Sequence, residues 1–186
     1  MTASRLDQPH LVLVGLMGAG KSTVGRALAE RLQRPFIDVD LAIEAATGQT
    51  ERQHWSSGGE AAYRDLERDT VLATVARTSP VVLAAPGGVV LEESVRRALE
   101  GPDVVIVWLR GDVGTIASRL RRDDHRPLLG DHPAEVLGTL ALARVPYYEQ
   151  LADVVVDIDC LDPNAVTAKA FAGLAPMGVR APRPQP

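Results

Sequence analysis

The chain of 186 residues contains one cysteine, Cys160, and that scarcity excludes an internal disulfide and any cage of cysteine ligands around a metal. Long apolar runs are missing too. The longest stretches, Val81–Ala85 and Val104–Leu109, fall far short of the roughly 20 residues that a membrane-spanning helix needs. Met1–His10 has no apolar h-region of a secretory signal and is expected to be a flexible N-terminus. Nor is there an excess of positive charge: 20 Lys and Arg stand against 24 Asp and Glu, a formal charge of −4. Binding along a nucleic-acid backbone usually calls for a clustered basic face. The four histidines His10, His54, His125 and His132 show no metal-ligand spacing. What remains is a cytoplasmic protein with neither nucleic acid nor membrane as partner, long enough for one domain with a sizeable core.

Short β-branched runs alternate with longer amphipathic segments, the pattern of βαβ units closing a parallel sheet. Strands are expected at Leu11–Val14, Phe36–Asp38, Val81–Ala84, Val104–Leu109 and Val154–Val156. Helices are expected at Lys21–Leu32, Gly59–Ala76, Leu91–Leu99, Asp112–Arg121 and Pro133–Arg144. A last helix is capped by Asp162, opened by Pro163 and ends near Ala172. The strand runs are nearly continuous in apolar residues, which suits strands covered on both faces, hence an α/β sandwich. Residues 11–173 form one domain. Arg122–His132, charged and broken by proline and glycine, reads as a mobile surface loop, and residues 174–186 as a disordered tail rich in Pro and Arg.

Directly after the first strand comes Gly15-Leu-Met-Gly-Ala-Gly-Lys21-Ser22-Thr23, which satisfies G-x-x-x-x-G-K-[ST] and leads into a helix. Glycines in such a loop let backbone N–H groups turn inward around an anion, and the helix N-terminus adds partial positive charge. Gly18, Ala19, Gly20, Lys21, Ser22 and Thr23 are therefore expected to hold nucleotide phosphates, with Lys21 as a mobile full charge and the Ser22 hydroxyl on Mg²⁺. The loop identifies a nucleotide triphosphate and leaves the phosphoryl acceptor open.

Asp38 and Asp40 end the second strand, where the carboxyl end of a parallel strand faces the ligand crevice. One can support Mg²⁺ through water while the other orients an acceptor hydroxyl, and Asp40 can equally cap a helix starting at Leu41. Arg64 lies four residues after Glu60 and three before Glu67, the spacing of an exposed ion-pair ladder. Arg144 sits near a helix end, where a cation suits the dipole anyway. Pro86-Gly87-Gly88 follows the third strand, either to bring backbone amides to a ligand or simply to make a tight exit. Arg126, in the charged loop, can swing onto a transferring phosphate.

Taken together, GLMGAGKST, FIDVDLAIE, GEAAYRDLE, PGG, RPLL and a late R-x-P-x-Y, in this order, resemble the shikimate kinases over about Leu11 to Gly173. The resemblance implies a three-layer α/β/α P-loop kinase with a five-stranded parallel sheet and a lid at about residues 122–132. It also implies transfer of the ATP γ-phosphate to the 3-hydroxyl of shikimate, a step of chorismate and aromatic amino acid biosynthesis, with Mg²⁺ as cofactor. Lys21 and Ser22 then take the phosphates and the metal, Asp38 supports the metal through water, and Asp40 contacts the reacting hydroxyl. Arg64 and Arg144 grip the shikimate carboxylate, with Gly87 and Gly88 beside it, Gly88 offering an N–H. Arg126 is the lid arginine, and Arg119 and Pro163 match positions flanking adenine. A monomer acting on a small molecule is expected.

Three positions depart from the family pattern. Pro86 replaces the first of three consecutive glycines, His54-Trp55 replaces isoleucine–phenylalanine, and Tyr63 replaces a phenylalanine. All three lie in segments that resemble the acceptor pocket, so a related kinase for another carboxylated polyol such as gluconate is the alternative enzyme. A nucleotide-binding regulatory module without catalysis is the alternative of a different class.

Overall fold

The five β-branched runs pair side by side in parallel, in the order β2–β3–β1–β4–β5: β1 (His10–Val14), β2 (Phe36–Asp38), β3 (Val82–Ala84), β4 (Val104–Arg110) and β5 (Val154–Asp157). The structure, a computed structural model, describes residues 6–120 and 133–180. Every residue of β1 is buried, as are Val105–Leu109 of β4, because helices cover both faces of the sheet. Each fully buried Leu, Ile or Val here contributes about 1.5–3 kcal/mol of transfer free energy. In register, Leu13 stands beside Ala84 on one side and Val107 on the other, so β1 is the central strand. The carboxyl ends of all five strands open on one edge, where ligands bind in open α/β sheets.

The strands fall within one residue of their expected ends, and α1 (Lys21–Leu32) falls where it was expected. The helices differ more. The chain enters α2 (Val39–Thr47) immediately after β2, so the strand does not continue to Asp40. The N-cap position belongs to Asp38, with no side-chain cap bond, and Asp40 lies in the first helical turn, which corrects its reading as a cap. α3 (Glu51–Val75) begins eight residues before the expected Gly59, which is instead a kink within it, φ 80° and ψ 169°. Its start is fixed by a capping box in which Thr50 and Gln53 satisfy each other's backbone N–H groups.

The segment expected as one helix from Leu91 divides into a 3₁₀ turn at Val89–Leu91 and α4 (Glu93–Leu99). α5 spans Val113–Leu120. α6 (Pro133–Leu151) runs through Pro146 and past its expected end at Arg144, because Tyr148 and Leu151 still reach the core from its last turns. α7 (Pro163–Leu174) opens as expected, with Asp162 Oδ1 accepting from the N–H groups of Asn164 and Ala165 at 2.8 and 3.0 Å.

Residues 6–10 and 174–180 correct the expectation of loose termini. Leu6 N–H donates to Asp103 Oδ1 at 3.1 Å, Arg34 donates to the Pro9 carbonyl at 2.9 Å, and His10 is fully buried in β1. At the other end Ala175–Met177 form a 3₁₀ turn, Val179 is buried, and Arg180 N–H donates to Gln8 Oε1 at 3.1 Å. A composition rich in Pro and Arg does not prevent one apolar anchor from docking. Residues 1–5 and 181–186 lie outside the described residues. Among the described residues no helix is long and apolar enough to cross a membrane.

Candidate active site

The turn from β1 into α1 sits at the carboxyl edge of the central strand. Gly15 adopts φ 142°, and a Cβ there would stand 2.7 Å from the Leu109 carbonyl oxygen, so neither conformation nor space admits a side chain. Gly20 is the N-cap of α1 and supplies no side-chain cap, which leaves the positive end of the helix facing the cleft. Lys21 Nζ donates to the carbonyls of Gly15 and Leu16 at 2.9 and 3.1 Å, which folds the ammonium back over the loop.

Ser22 Oγ donates to Asp38 Oδ2 at 2.5 Å. A hydroxyl and a carboxylate side by side are hard oxygen donors of the kind magnesium takes, and they stand next to the phosphate loop. Among the described residues no group of three or more His, Cys, Asp or Glu is arranged to hold a metal ion. The pair therefore fits an ion that draws its other ligands from phosphate and water, as magnesium does in kinases.

Across the cleft, α3, α6 and the turn after β3 meet. Arg64 realises the expected ladder: Nη1 donates to both Glu67 oxygens, at 3.0 and 2.7 Å, and Nε and Nη2 to Glu60 Oε1, at 3.4 and 3.1 Å. The rungs are unequal, since the Glu60 side chain is 59% exposed and that of Glu67 only 3%. Burial pushes the Glu67 carboxyl up to about 7, against the opposing pull of Arg64 and with a smaller push from the charges of Asp40 and Glu51. Burial works against the charge of Arg64, but Glu67 and Glu60 outweigh it and hold its pKa above the ordinary value.

Arg144 is 6% exposed, with Nε buried and without a hydrogen-bond partner. Burial, joined by the like charge of Arg64, lowers its pKa, while Tyr148 and Glu67 act in the opposite sense. Tyr148, fully buried against Trp108, donates to the Gly87 carbonyl at 2.6 Å and so braces the glycine turn from beneath. A Cβ at Gly88 would stand 3.2 Å from Arg144 Nη2 and 3.5 Å from Arg64 Nη1, so the two guanidiniums converge on the backbone of this turn. Arg64 is paired with Glu60 and Glu67, whereas the Nε of the buried Arg144 has no partner. Two guanidiniums converging on one turn suit a ligand carboxylate gripped bidentately.

One cleft of about 1670 Å³ joins the two halves. Gly18, Gly20, Lys21, Ser22 and Thr23 line it on the side of the phosphate loop, and Asp38 and Asp40 lie between. Arg64, Gly87, Gly88 and Arg144 line the opposite side. Arg119 lines it as well and donates Nη2 to the Ile158 carbonyl at 2.9 Å, which ties α5 to the loop after β5. Ala19 is instead buried behind the phosphate loop, and Pro163 opens α7 without lining the cleft. Arg126 and the expected lid, residues 122–132, lie outside the described residues. Of the departures, Pro86 and Tyr63 are buried yet line the cleft, and Trp55 is half-buried in its wall, the Arg64 guanidinium carbon 5.7 Å from its ring centre.

Sequence reasoning missed the burial of Glu67 and the bracing by Tyr148. Tyr148 is the tyrosine of the late R-x-P-x-Y motif, which marks the residue without indicating its contact with the Gly87 carbonyl. Glu67→Gln separates the roles of this carboxyl. Between about pH 4.5 and 7 the folded chain keeps a proton that the unfolded chain has released, so this group's contribution to stability falls as pH rises through that window. The urea midpoint of the parent is expected to fall relative to that of Glu67→Gln between pH 5 and pH 8; parallel midpoints would show that Glu67 titrates normally.

A phosphate loop and a pair of converging guanidiniums that share one cleft at the carboxyl edge of a five-stranded parallel sheet define a P-loop small-molecule kinase. The family model described as Shikimate kinase matches residues 17–175. The shikimate kinase of Paramagnetospirillum magneticum is 43% identical over 166 residues, 88% of this chain and 83% of the relative. That of Pseudomonas syringae pv. syringae is 40% identical over 92% of this chain and 99% of its own length. Among solved structures, shikimate kinase from Acinetobacter baumannii in complex with shikimate superposes with a TM-score of 0.86 at 32% identity, covering 94% of this chain and 97% of that one. The chain belongs to the shikimate kinase family. A gluconokinase from Sinorhizobium meliloti, at 23% identity and a TM-score of 0.62 over 91% of this chain and 93% of that one, shares the fold.

Proposed function

We propose that this chain transfers the γ-phosphoryl group of ATP to the 3-hydroxyl of shikimate, giving shikimate 3-phosphate and ADP. The observation that carries the reading is the convergence of Arg64 and Arg144 on Gly88 in the same cleft as the phosphate loop. Shikimate is a small polyol bearing one carboxylate. The two guanidiniums take the carboxylate, and the N–H of Gly88 and the carboxylate of Asp40 supply directional partners for hydroxyls.

Phosphoryl transfer requires alignment and neutralisation of charge more than covalent help from the protein. The bond from the acceptor oxygen to the γ-phosphorus forms as the bond to the β–γ bridging oxygen breaks. Lys21 leaves the carbonyls of Gly15 and Leu16 for the phosphates, and the first turn of α1 holds them in place. Asp40 accepts a hydrogen bond from the reacting hydroxyl and sets its oxygen in line, and the hydroxyl proton leaves toward Asp40 and from there to solvent as the ester bond forms. Ser22 and, through water, Asp38 would hold Mg²⁺, which when bound neutralises charge on the β- and γ-phosphates. Arg119, on the cleft wall, flanks the base of the nucleotide in this reading. A cytoplasmic monomer is the working unit we propose.

Phosphorus NMR of the product tests the reading. One new phosphate monoester is expected, coupled to the proton at carbon 3 of shikimate and appearing in step with ADP. Inorganic phosphate as the only new signal besides ADP would reduce the activity to ATP hydrolysis and overturn the assignment.

A further inference from the structure

Gly87, in the turn after β3, lies where the two halves of the cleft touch. A Cβ there would stand 2.9 Å from the Gly15 carbonyl oxygen of the phosphate loop, 3.2 Å from Arg144 Nη1 and 3.2 Å from the Tyr148 hydroxyl oxygen. At Gly88 a Cβ would stand 3.2 Å from Arg144 Nη2. The turn is thus wedged between the loop that takes the phosphates and the guanidinium that takes the acceptor. Any change in its height alters the spacing of the two.

A pair of glycines brings no side chain of its own to hold such a turn. The hydrogen bond from the Tyr148 hydroxyl to the Gly87 carbonyl, 2.6 Å long, comes from α6 and supplies that hold. Tyr148 is fully buried, its ring centre 5.8 Å from that of Trp108 in β4, so the donor is anchored on the sheet. Burial pushes the phenol far up, against the opposing pull of Arg144, and the hydroxyl keeps its proton. Near-attack geometry depends on support of this kind, because small misplacements of a binding group cost rate steeply.

We propose that Tyr148 is a positioning residue for the acceptor, its hydroxyl fixing the Gly87–Gly88 turn against the phosphate loop and with it the seat of Arg144. The proposal rests on the reading that Arg144 grips the acceptor carboxylate. Tyr148→Phe removes one oxygen and keeps the ring against Trp108, and the half-buried Gly87 leaves room for water at its carbonyl. The fold is expected to survive, with a thermal scan as the check.

The test is a cycle of four proteins: the parent, Tyr148→Phe, Arg144→Met and the double variant, each assayed for kcat and for KM toward shikimate and ATP. Tyr148→Phe is expected to lower kcat/KM for shikimate about tenfold, near the upper end for one neutral hydrogen bond, with KM for ATP within about twofold of the parent. In the Arg144→Met background the same change is expected to cost less than about twofold, since the group that the turn seats is gone. Losses that multiply in the double variant would overturn the proposal, as would a parent-like kcat/KM in Tyr148→Phe or equal losses toward both substrates. An Arg144→Met variant that keeps the parent KM for shikimate would overturn the reading of Arg144, and the proposal with it.

The parent grown with 3-fluorotyrosine gives a second reading that needs no Tyr148 variant. Its three tyrosines give three fluorine resonances, of which Tyr63→Phe and Tyr147→Phe identify two. Saturating shikimate is expected to shift the remaining one, that of Tyr148. A resonance that stays in place would overturn the proposal.

Discussion

Lys21→Ala is expected to lower kcat by about 10³-fold with shikimate as acceptor, while the thermal midpoint stays close to that of the parent. Removing one neutral donor from a preorganised anion site costs about 10²–10³ in kcat, and Lys21 carries a full charge to the phosphates whose bonding changes. In the structure its ammonium donates to the carbonyls of Gly15 and Leu16 in its own loop. The loss should therefore appear in turnover and not in folding. Steady-state kinetics with a thermal scan checks this. A variant that keeps more than about a tenth of the parent rate would show that the helix N-terminus suffices and that the lysine is not the principal counter-charge.

Arg144→Met is expected to act on the other substrate. Methionine keeps much of the apolar stem that Arg144 packs beside Tyr148, and removes the guanidinium. Truncating one partner of a buried charge pair costs about 2–5 kcal/mol, so KM for shikimate should rise by about 10²-fold or more, with KM for ATP within about twofold of the parent. Arg144→Lys should recover little, because an ammonium cannot make the bidentate contact that the geometry at Gly88 offers. Comparable losses for both substrates would identify a structural arginine holding α6 to the turn after β3.

The parts of the molecule legible in the sequence are those whose cause is local. Val104–Leu109 has to be a covered strand because nothing polar interrupts it, and Gly15 through Thr23 specifies a phosphate loop because spacing and residue type suffice. The start of α3 was equally local, written in Thr50 and Gln53, although the two glycines that follow suggested a later beginning. Other features depend on contacts between distant segments. Glu60 and Glu67 have the same chemistry and similar spacing from Arg64, and only the packing of α3 buries one and exposes the other. Tyr148 lies 61 residues from the Gly87 carbonyl it supports. The helix from Pro133 was expected to end at Arg144, and only the burial of Tyr148 and Leu151 explains why α6 continues through Pro146.

The central claim is that the cleft couples ATP to a carboxylated polyol and that the polyol is shikimate. Mg²⁺-dependent release of ADP from ATP, measured with shikimate, with gluconate and with no acceptor, tests it most directly. The account predicts release that depends on both Mg²⁺ and shikimate, with gluconate indistinguishable from the control. Release with gluconate and none with shikimate would contradict it and make Pro86, Trp55 and Tyr63 changes of specificity, while no release above control with either acceptor would contradict catalysis altogether.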